Sequence, residues 1–148
     1  GLEGPEPSGA LRAVLGEVPI DGIGCTVLER AALRVPSGAD RLPGVDVTKL
    51  RDTLQRAMTR GAGVVRSAES LGSARAVIDD IAAALGDGVP SVGAGELANL
   101  LQLADALLVS ALARTESRGS HSRRDYPEAD PSWRRRLVHG RVQTRRGP

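Results

Sequence analysis

The chain has 148 residues, enough for a single domain with a modest core, and its net charge is only +2. It contains no Phe, one Trp and one Tyr, so a core has to be built from Ala, Leu, Val and Ile, which suits a helical protein. The single Cys25 excludes an internal disulfide framework and fits a reducing compartment, and the absence of a secretory leader or of about 18 consecutive apolar residues predicts a cytoplasmic protein without a membrane span.

Residues 1–45 look least like an independent fold. They hold five prolines and eight glycines, which interrupt every helical period before a long helix can propagate. We therefore predict that residues 1–45 form a linker with local order. Residues 25–35 stay ambiguous, because β-branched side chains mix with helix formers there. One possible helical face consists of Leu28, Ala31, Ala32 and Val35.

Two helices, each with an apolar stripe and a glycine stop, are predicted to follow. The first begins near Asp46, a residue type that caps helices, and ends at Gly61. The second takes Ser67 or Ser70 as its N-cap and ends at the next pair of glycines. The predicted inward faces are Val47, Leu50, Leu54, Ala57 and Met58 in the first helix, and Leu71, Ala74, Ile78, Ile81 and Leu85 in the second.

The longest helix is predicted from about Glu96 to Arg118. A helix of about 22 residues spans about 33 Å, enough to hold two shorter helices along its length. Gly119 is predicted as its C-cap, which places Arg114 and Arg118 in the last turn, where cations are favoured. Its apolar face is the widest of the three and is predicted to point inward through Leu97, Leu100, Leu101, Ala104, Leu107, Leu108, Ala111 and Leu112.

These patterns predict an all-α protein. Residues 46–118 form a three-helix antiparallel bundle, similar to a spectrin repeat, with an irregular N-terminal linker before it. Residues 119–148 form an extended docking segment and an Arg-rich tail, because Pro127 forces an extended chain and because a solvated tail has no need of Tyr126 and Trp133. The mixture of charged and aromatic residues indicates a contact surface for another protein surface.

The end of the predicted bundle carries the most specific motif. Residues 114–121 read Arg-Thr-Glu-Ser-Arg-Gly-Ser-His and follow a long apolar-striped helix. This combination resembles the C-terminal helical domain of L-aspartate oxidase and of its relatives, the succinate dehydrogenase and fumarate reductase flavoproteins. Residues 54–58 and 63–66 also resemble the family's first helix and the turn after it. The succinate dehydrogenase flavoproteins usually continue with paired aspartates, so the different sequence of residues 125–131 favours L-aspartate oxidase.

The resemblance implies a domain that carries no catalysis alone. In the whole enzyme, flavin-binding and capping domains precede it, and L-aspartate is oxidised to iminoaspartate by hydride transfer to FAD, which dioxygen or fumarate reoxidises. Iminoaspartate then feeds NAD biosynthesis. This chain has no Gly-x-Gly-x-x-Gly between a strand and a helix, so it is expected to bind no FAD itself, and none of the family's substrate-binding residues maps onto it.

We therefore expect the bundle to pack its last helix and the motif segment against the flavin-binding and capping domains. In this hypothesis Glu116 orients an arginine. The candidate interdomain contacts are Glu116, Arg118, His121, Arg124, Asp125 and Tyr126.

Other functions have weaker support in the sequence. His121 and His139 with Cys25 have no zinc spacing, and Ser120 next to His121 lacks the strand-turn-helix elbow of a hydrolase. Residues 114–148 hold ten Arg and four acids, an asymmetry that could bind nucleic acid, but no helix-turn-helix signature accompanies it. A freestanding helical scaffold, which binds a partner through the wide face of the last helix, is a further alternative.

Overall fold

The structure, a computed structural model, describes residues 25–30, 45–85 and 91–141, with side chains in 45–85 and 91–139. Three α-helices account for most of it: α1 Val47–Gly61, α2 Ala68–Leu85 and α3 Val92–Ala113. The strands are β1 Cys25–Arg30, β2 Val65–Arg66, β3 Ser122–Arg123 and β4 Arg136–Arg141, and a 3-10 turn covers Pro131–Trp133.

The first two helices begin where their capping residues predict. The Asp46 carboxylate accepts a hydrogen bond from the Lys49 amide at 3.0 Å, which confirms Asp46 as the N-cap of α1. Ser67 and Ser70 each accept the other's backbone N–H through their hydroxyl groups, at 3.1 and 2.9 Å. This reciprocal pair satisfies two amides at the start of α2.

The bounds of α3 differ from the prediction at both ends. The helix begins at Val92, because the Ser91 hydroxyl accepts from the Ala94 amide at 3.2 Å and caps it before Glu96. It ends at Ala113, and Arg114 already has an extended backbone. Gly119 is therefore not the C-cap of this helix, and Arg114 and Arg118 do not lie in its last turn.

The three helices pack on one another around one aliphatic core. Every inward residue predicted for α2 is buried, and Leu54 is the most buried of those predicted for α1. Of the eight residues predicted for α3, five are buried, Leu112 is partly buried against the core, and the prediction is wrong for Leu100 and Leu107, which lie exposed on the other side of the helix. Buried in α3 as predicted are Leu97, Leu101, Ala104, Leu108 and Ala111.

Two short parallel sheets correct the all-α class. β1 pairs with β4 in parallel, from Cys25 opposite Arg136 to Arg30 opposite Arg141. The β-branched residues of β1 favour a strand, which resolves the ambiguity of residues 25–30. β4 lies in the segment predicted as an extended Arg-rich tail. β2 pairs in parallel with β3, with Arg66 opposite Arg123.

The chain divides into two compact units. One is Leu33–Trp133 and contains the helices with β2 and β3. The other consists of Gly1–Ala32 and Arg134–Pro148 and contains β1 and β4. The rest of the predicted linker and the last seven residues of the predicted tail lie outside the described residues.

Candidate functional site

Arg123 lies at the centre of the segment that follows α3, and its side chain is buried, with 2% of the residue exposed. Its guanidinium donates to the carbonyl of Ala111 at 2.7 Å and to that of Arg114 at 3.2 Å, at the C-terminal end of α3. Carbonyls at a helix end lack partners within the helix, and a cation beside them is favoured by the helix dipole. Arg123 therefore caps α3 from outside the helix.

Asp125 connects Arg123 to the start of α2. Its two carboxylate oxygens accept from Nε and Nη2 of Arg123 at 2.7 and 2.6 Å, and one of them also accepts from the Ala68 amide at 2.9 Å. Hydrogen bonding to Arg123 is the largest cause that lowers the pKa of Asp125 to about 2. The two side chains thus join the end of α3 to the beginning of α2.

Glu116 has no exposed surface and binds two arginines. Nε and Nη2 of Arg118 each donate to one of its oxygens at 2.9 Å, Arg114 donates to the same carboxylate, and so does the Asp130 amide at 2.9 Å. The hydrogen bonds from Arg118 are the largest cause that lowers the pKa of Glu116 to about 2. One buried carboxylate thus holds the side chains of Arg114 and Arg118.

A tight turn holds Arg118 and His121 face to face. The amide of each donates to the carbonyl of the other, at 2.8 and 3.0 Å. Gly119 has φ of 57° at the first position of this two-residue turn, a conformation that favours glycine. Gly119 therefore reverses the chain between Arg118 and His121.

Both aromatic residues of the segment contact arginines. The guanidinium of Arg123 lies 5.0 Å from the centre of the Tyr126 ring, and that of Arg114 lies 5.5 Å from the Trp133 ring. The Trp133 indole also donates to the Thr115 hydroxyl at 2.9 Å. These contacts fix the chain beyond the turn onto the end of α3.

His121 is half-buried among positive charges. Its Nε2 lies 3.3 Å from the Arg114 carbonyl oxygen. Burial is the largest cause that lowers the pKa of His121, and the charges of Arg66, Arg123 and Arg114 lower it further, against the raising effect of the Arg114 carbonyl. Burial and the neighbouring arginines therefore favour the neutral form of the imidazole.

The six predicted contact residues fall into two groups. Glu116 is buried within this chain, and Asp125 makes its hydrogen bonds within it. Arg118, Arg124 and Tyr126 lie at the surface, and His121 lies at the edge. The prediction missed Arg123, although the spacing Arg-x-acid occurs both at Arg114 with Glu116 and at Arg123 with Asp125, and this repetition was the available signal.

The sequence profile described as the fumarate reductase flavoprotein C-terminal family matches residues 51–145, more than half of the chain. The chain belongs to this family. The match contains all three helices except the first residues of α1, and the whole cluster around Glu116 and Arg123.

Three curated relatives show the range of the family. The chain is 42% identical over 102 residues to one subunit of the fumarate reductase (CoM/CoB) of Methanothermobacter marburgensis, covering 63% of this chain and 19% of the relative. It is 39% identical over 97 residues to L-aspartate oxidase of Streptomyces coelicolor, covering 60% and 17%. It is 33% identical over 129 residues to the succinate dehydrogenase flavoprotein subunit of Rickettsia bellii, covering 77% and 22%. The chain thus spans about a fifth of the length of these relatives.

The glycines of the helices do not form a site for the pyrophosphate of a flavin dinucleotide. Gly61 is the last residue of α1, and a Cβ on it would lie 2.5 Å from the Ser70 carbonyl oxygen, so this glycine serves the close approach of α1 to α2. Gly93 and Gly95 lie inside α3. Neither set forms the turn between a strand and a helix that receives a pyrophosphate. Among the described residues, no group of three His, Cys, Asp or Glu could hold a metal ion.

One side of α3 carries leucines that nothing in the described structure covers. Leu100, Leu103 and Leu107 are 37%, 67% and 42% exposed, whereas Leu101 and Leu108 on the opposite side are fully buried. By length and composition alone α3 is apolar enough to cross a membrane, a test that the core helix of a soluble protein also passes. Exposed apolar surface of this kind often marks a site where another protein surface packs.

Proposed function

We propose that this chain is the C-terminal helical domain of a cytoplasmic FAD-dependent oxidoreductase of the L-aspartate oxidase type. The whole enzyme converts L-aspartate to iminoaspartate for NAD biosynthesis. This domain carries no catalytic residue and binds no FAD. It packs as an antiparallel bundle on the flavin-binding and capping domains of the same polypeptide, with residues 1–45 as a linker and the segment from 119 onward as the docking segment.

The exposed side of α3 is the observation that carries the docking role. Three leucines at helical spacing remain open to solvent on a helix whose other side forms the core. The relatives are more than three times as long as this chain, so most of such a polypeptide lies outside it and is available to cover the leucines. Burying apolar surface of this kind stabilises an interface by about 25 cal/mol per Å².

The segment after α3 supports the same role through its charges. Arg118, Arg124 and Tyr126 lie at the surface and His121 lies at the edge. Glu116 holds Arg118 in place from within. Arg123 and Asp125 fix the next part of the chain to two helix ends. A preorganised surface loses little side-chain entropy on binding, which suits an interdomain contact.

A second candidate is the same domain in a succinate dehydrogenase or fumarate reductase flavoprotein. The 42% identity to the Methanothermobacter marburgensis fumarate reductase (CoM/CoB) favours it. In that case the docking role and the flavin are unchanged, and the whole enzyme interconverts a dicarboxylate pair instead of oxidising an amino acid.

The substrate is tested with the complete polypeptide that contains these residues. We would measure peroxide formation with L-aspartate and dye reduction with succinate on the same preparation. Peroxide from L-aspartate alone supports the L-aspartate oxidase assignment. Dye reduction with succinate alone refutes it in favour of the second candidate, and a polypeptide with no flavin refutes both.

The docking role is tested with Leu103→Gln and with the control Ala76→Gln, at an exposed position of α2. In the complete polypeptide we expect Leu103→Gln to lower the free energy of unfolding by about 1–2 kcal/mol and to weaken flavin retention, because a buried leucine contributes that much. The control should change neither. Equal behaviour of the two variants would show that the side of α3 with Leu103 is not an interface.

A further inference from the structure

Arg66 stands apart from the other arginines that surround the end of α3. It lies in β2, opposite Arg123 of β3. Its Nη2 lies 3.4 Å from the Ser120 carbonyl oxygen, at the long limit of a hydrogen bond, and its Nε is buried without a hydrogen-bond partner. Within the part of the chain that the structure describes, Arg66 makes no ion pair.

Two neighbouring arginines show how such a group is satisfied in this protein. Arg118 presents Nε and Nη2 side by side to the two oxygens of Glu116, both at 2.9 Å. Arg123 presents the same two nitrogens to Asp125 at 2.7 and 2.6 Å. A guanidinium edge and a carboxylate match in geometry, so each pair forms two parallel charge-assisted hydrogen bonds. Arg66 has the same edge, with only a weak contact on it.

Arginines also outnumber acids around the end of α3. Arg114 and Arg118 share the buried Glu116, and Arg123 pairs with the more exposed Asp125, so that these two carboxylates already have arginine partners. Burial and then the charge of Arg123 lower the pKa of Arg66, and the charge of Arg66 acts in the same direction on the pKa of His121. Arg66 therefore adds a positive charge to a region in which the neighbouring arginines already disfavour positive charge.

The contact that Arg66 makes is open to replacement. Ser120, whose carbonyl it approaches, is exposed, and it belongs to the same turn as the exposed Arg118. A carboxylate arriving at this turn meets Nη2 without opening the helical core. The 3.4 Å contact is weak enough for the guanidinium to leave it and to direct both nitrogens at the incoming acid.

We propose that the Arg66 guanidinium binds the carboxylate of an Asp or Glu that belongs to the part of the flavoprotein polypeptide outside these 148 residues. This interdomain ion pair rests on the proposed function, since it requires a further domain against the turn at Ser120. It adds a contact that is distinct from the six residues predicted from the sequence. The pair would take the same side-on form as Arg118 with Glu116.

Zero-length cross-linking of the complete polypeptide tests this proposal. Arg66→Lys keeps the charge and supplies an amine, which a carbodiimide condenses with a carboxylate in contact with it. We expect a cross-linked peptide that joins position 66 to an Asp or Glu outside the 148 residues, identified by mass spectrometry. The matched control is Arg56→Lys, because Arg56 pairs with Asp52 at 2.8 Å and should give a cross-link to Asp52.

Each other result of the cross-linking overturns the proposal. With the control reacting, no cross-link at position 66 means that no carboxylate lies there. A cross-link to an acid of this chain means that the partner is internal. A mass increase from added succinate at position 66 means that a small free carboxylate, and not a side chain, occupies the site.

A second measurement covers the case in which Arg66→Lys is not recovered folded. Arg66→Met in the complete polypeptide should lower the melting temperature by several degrees relative to Arg56→Met, because it leaves the partner acid unpaired. Equal melting temperatures overturn the proposal. Neither readout requires catalysis, so a polypeptide that oxidises succinate and not L-aspartate would contradict the proposed substrate and leave this ion pair standing.

Discussion

The helical bundle and the segment after α3 are neighbours that are stabilised by different physics. The bundle buries Leu, Ile, Val and Ala against one another, and its stability rises with the apolar area that is buried. The segment buries Glu116 and Arg123, whose charges are compensated by named partners at hydrogen-bond distance. An apolar core loses stability in proportion to the atoms removed, whereas a buried ion pair that loses one member leaves the other uncompensated. The two regions should therefore respond differently to the same substitution.

The largest expected effect is that of Arg123→Met. The change removes the cap of α3 and leaves Asp125 without its arginine, so we expect a loss of about 3–5 kcal/mol in the free energy of unfolding. Two controls use the same new residue: Arg124→Met at the exposed neighbour should cost less than about 0.5 kcal/mol, and Leu101→Met in the core less than about 1.5 kcal/mol. Urea unfolding followed by circular dichroism measures all three.

The proposed difference between the two regions is wrong if Arg123→Met lowers the free energy of unfolding no more than Leu101→Met does. In that case the buried guanidinium could be replaced by an apolar side chain of similar length, and the segment would be held by packing in the same way as the bundle. A loss confined to Arg123→Met would show that the end of α3 depends on charge.

The bundle could be predicted from the sequence because helical burial is periodic. Each inward residue of α2 follows from spacings of three and four, and the caps at Asp46 and Ser67 follow from residue type. The same periodicity could not tell that Leu100 and Leu107 are exposed, because apolar residues cover a wide part of α3 and leave little contrast between its buried side and the exposed leucines. The exposed leucines of α3 can be interpreted only together with another surface that packs on them.

The segment after α3 could be located from the sequence but not resolved into contacts. Its density of charges and aromatic residues indicates a functional surface, but it does not reveal that Arg123 is buried while Arg124 stays exposed. Sequence patterns do not tell which of two adjacent arginines turns inward, because that depends on the carbonyls left free at Ala111 and Arg114. The predicted end of α3 at Arg118 is wrong for the same reason, because the group that caps the helix, Arg123, lies beyond it along the chain.

Acid should destabilise the segment after α3 more than it destabilises the core of the three helices. The pKa of Glu116 is lowered from 4.5 to about 2, chiefly by Arg118, and that of Asp125 from 3.8 to about 2, chiefly by Arg123. Because the unfolded chain binds these protons first, the stability contributed by both carboxylates is present above about pH 4.5 and is lost as the pH falls towards 2. Urea unfolding between pH 7 and pH 2 should show this loss.

Glu116→Gln tests whether the segment after α3 causes the loss of stability in acid. The variant should be less stable than the parent chain at pH 7, and the difference should shrink as the pH falls, because the parent carboxylate becomes protonated. Glu96→Gln, at an exposed partner of Arg51, serves as the control and should cost less than about 1 kcal/mol at pH 7. A difference between Glu116→Gln and the parent that stays constant down to pH 2 would contradict the role of the buried charge.

The smallest effects come from one glycine in each region, and they should have opposite signs. Gly119 has φ of 57° in the turn between Arg118 and His121, so Gly119→Ala should cost about 1–2 kcal/mol although no atom lies within 4 Å of the added Cβ. Gly72 lies inside α2 with the same free space around it, so Gly72→Ala should stabilise the chain by about 0.5–1 kcal/mol through helix propensity. Since neither alanine meets a neighbour, thermal unfolding of the two variants compares backbone conformation alone. If both variants are less stable, the helices restrict position 72 in a way that the distances around Gly72 do not show. If both are more stable, the turn at Gly119 can relax to negative φ without releasing Arg118 from Glu116.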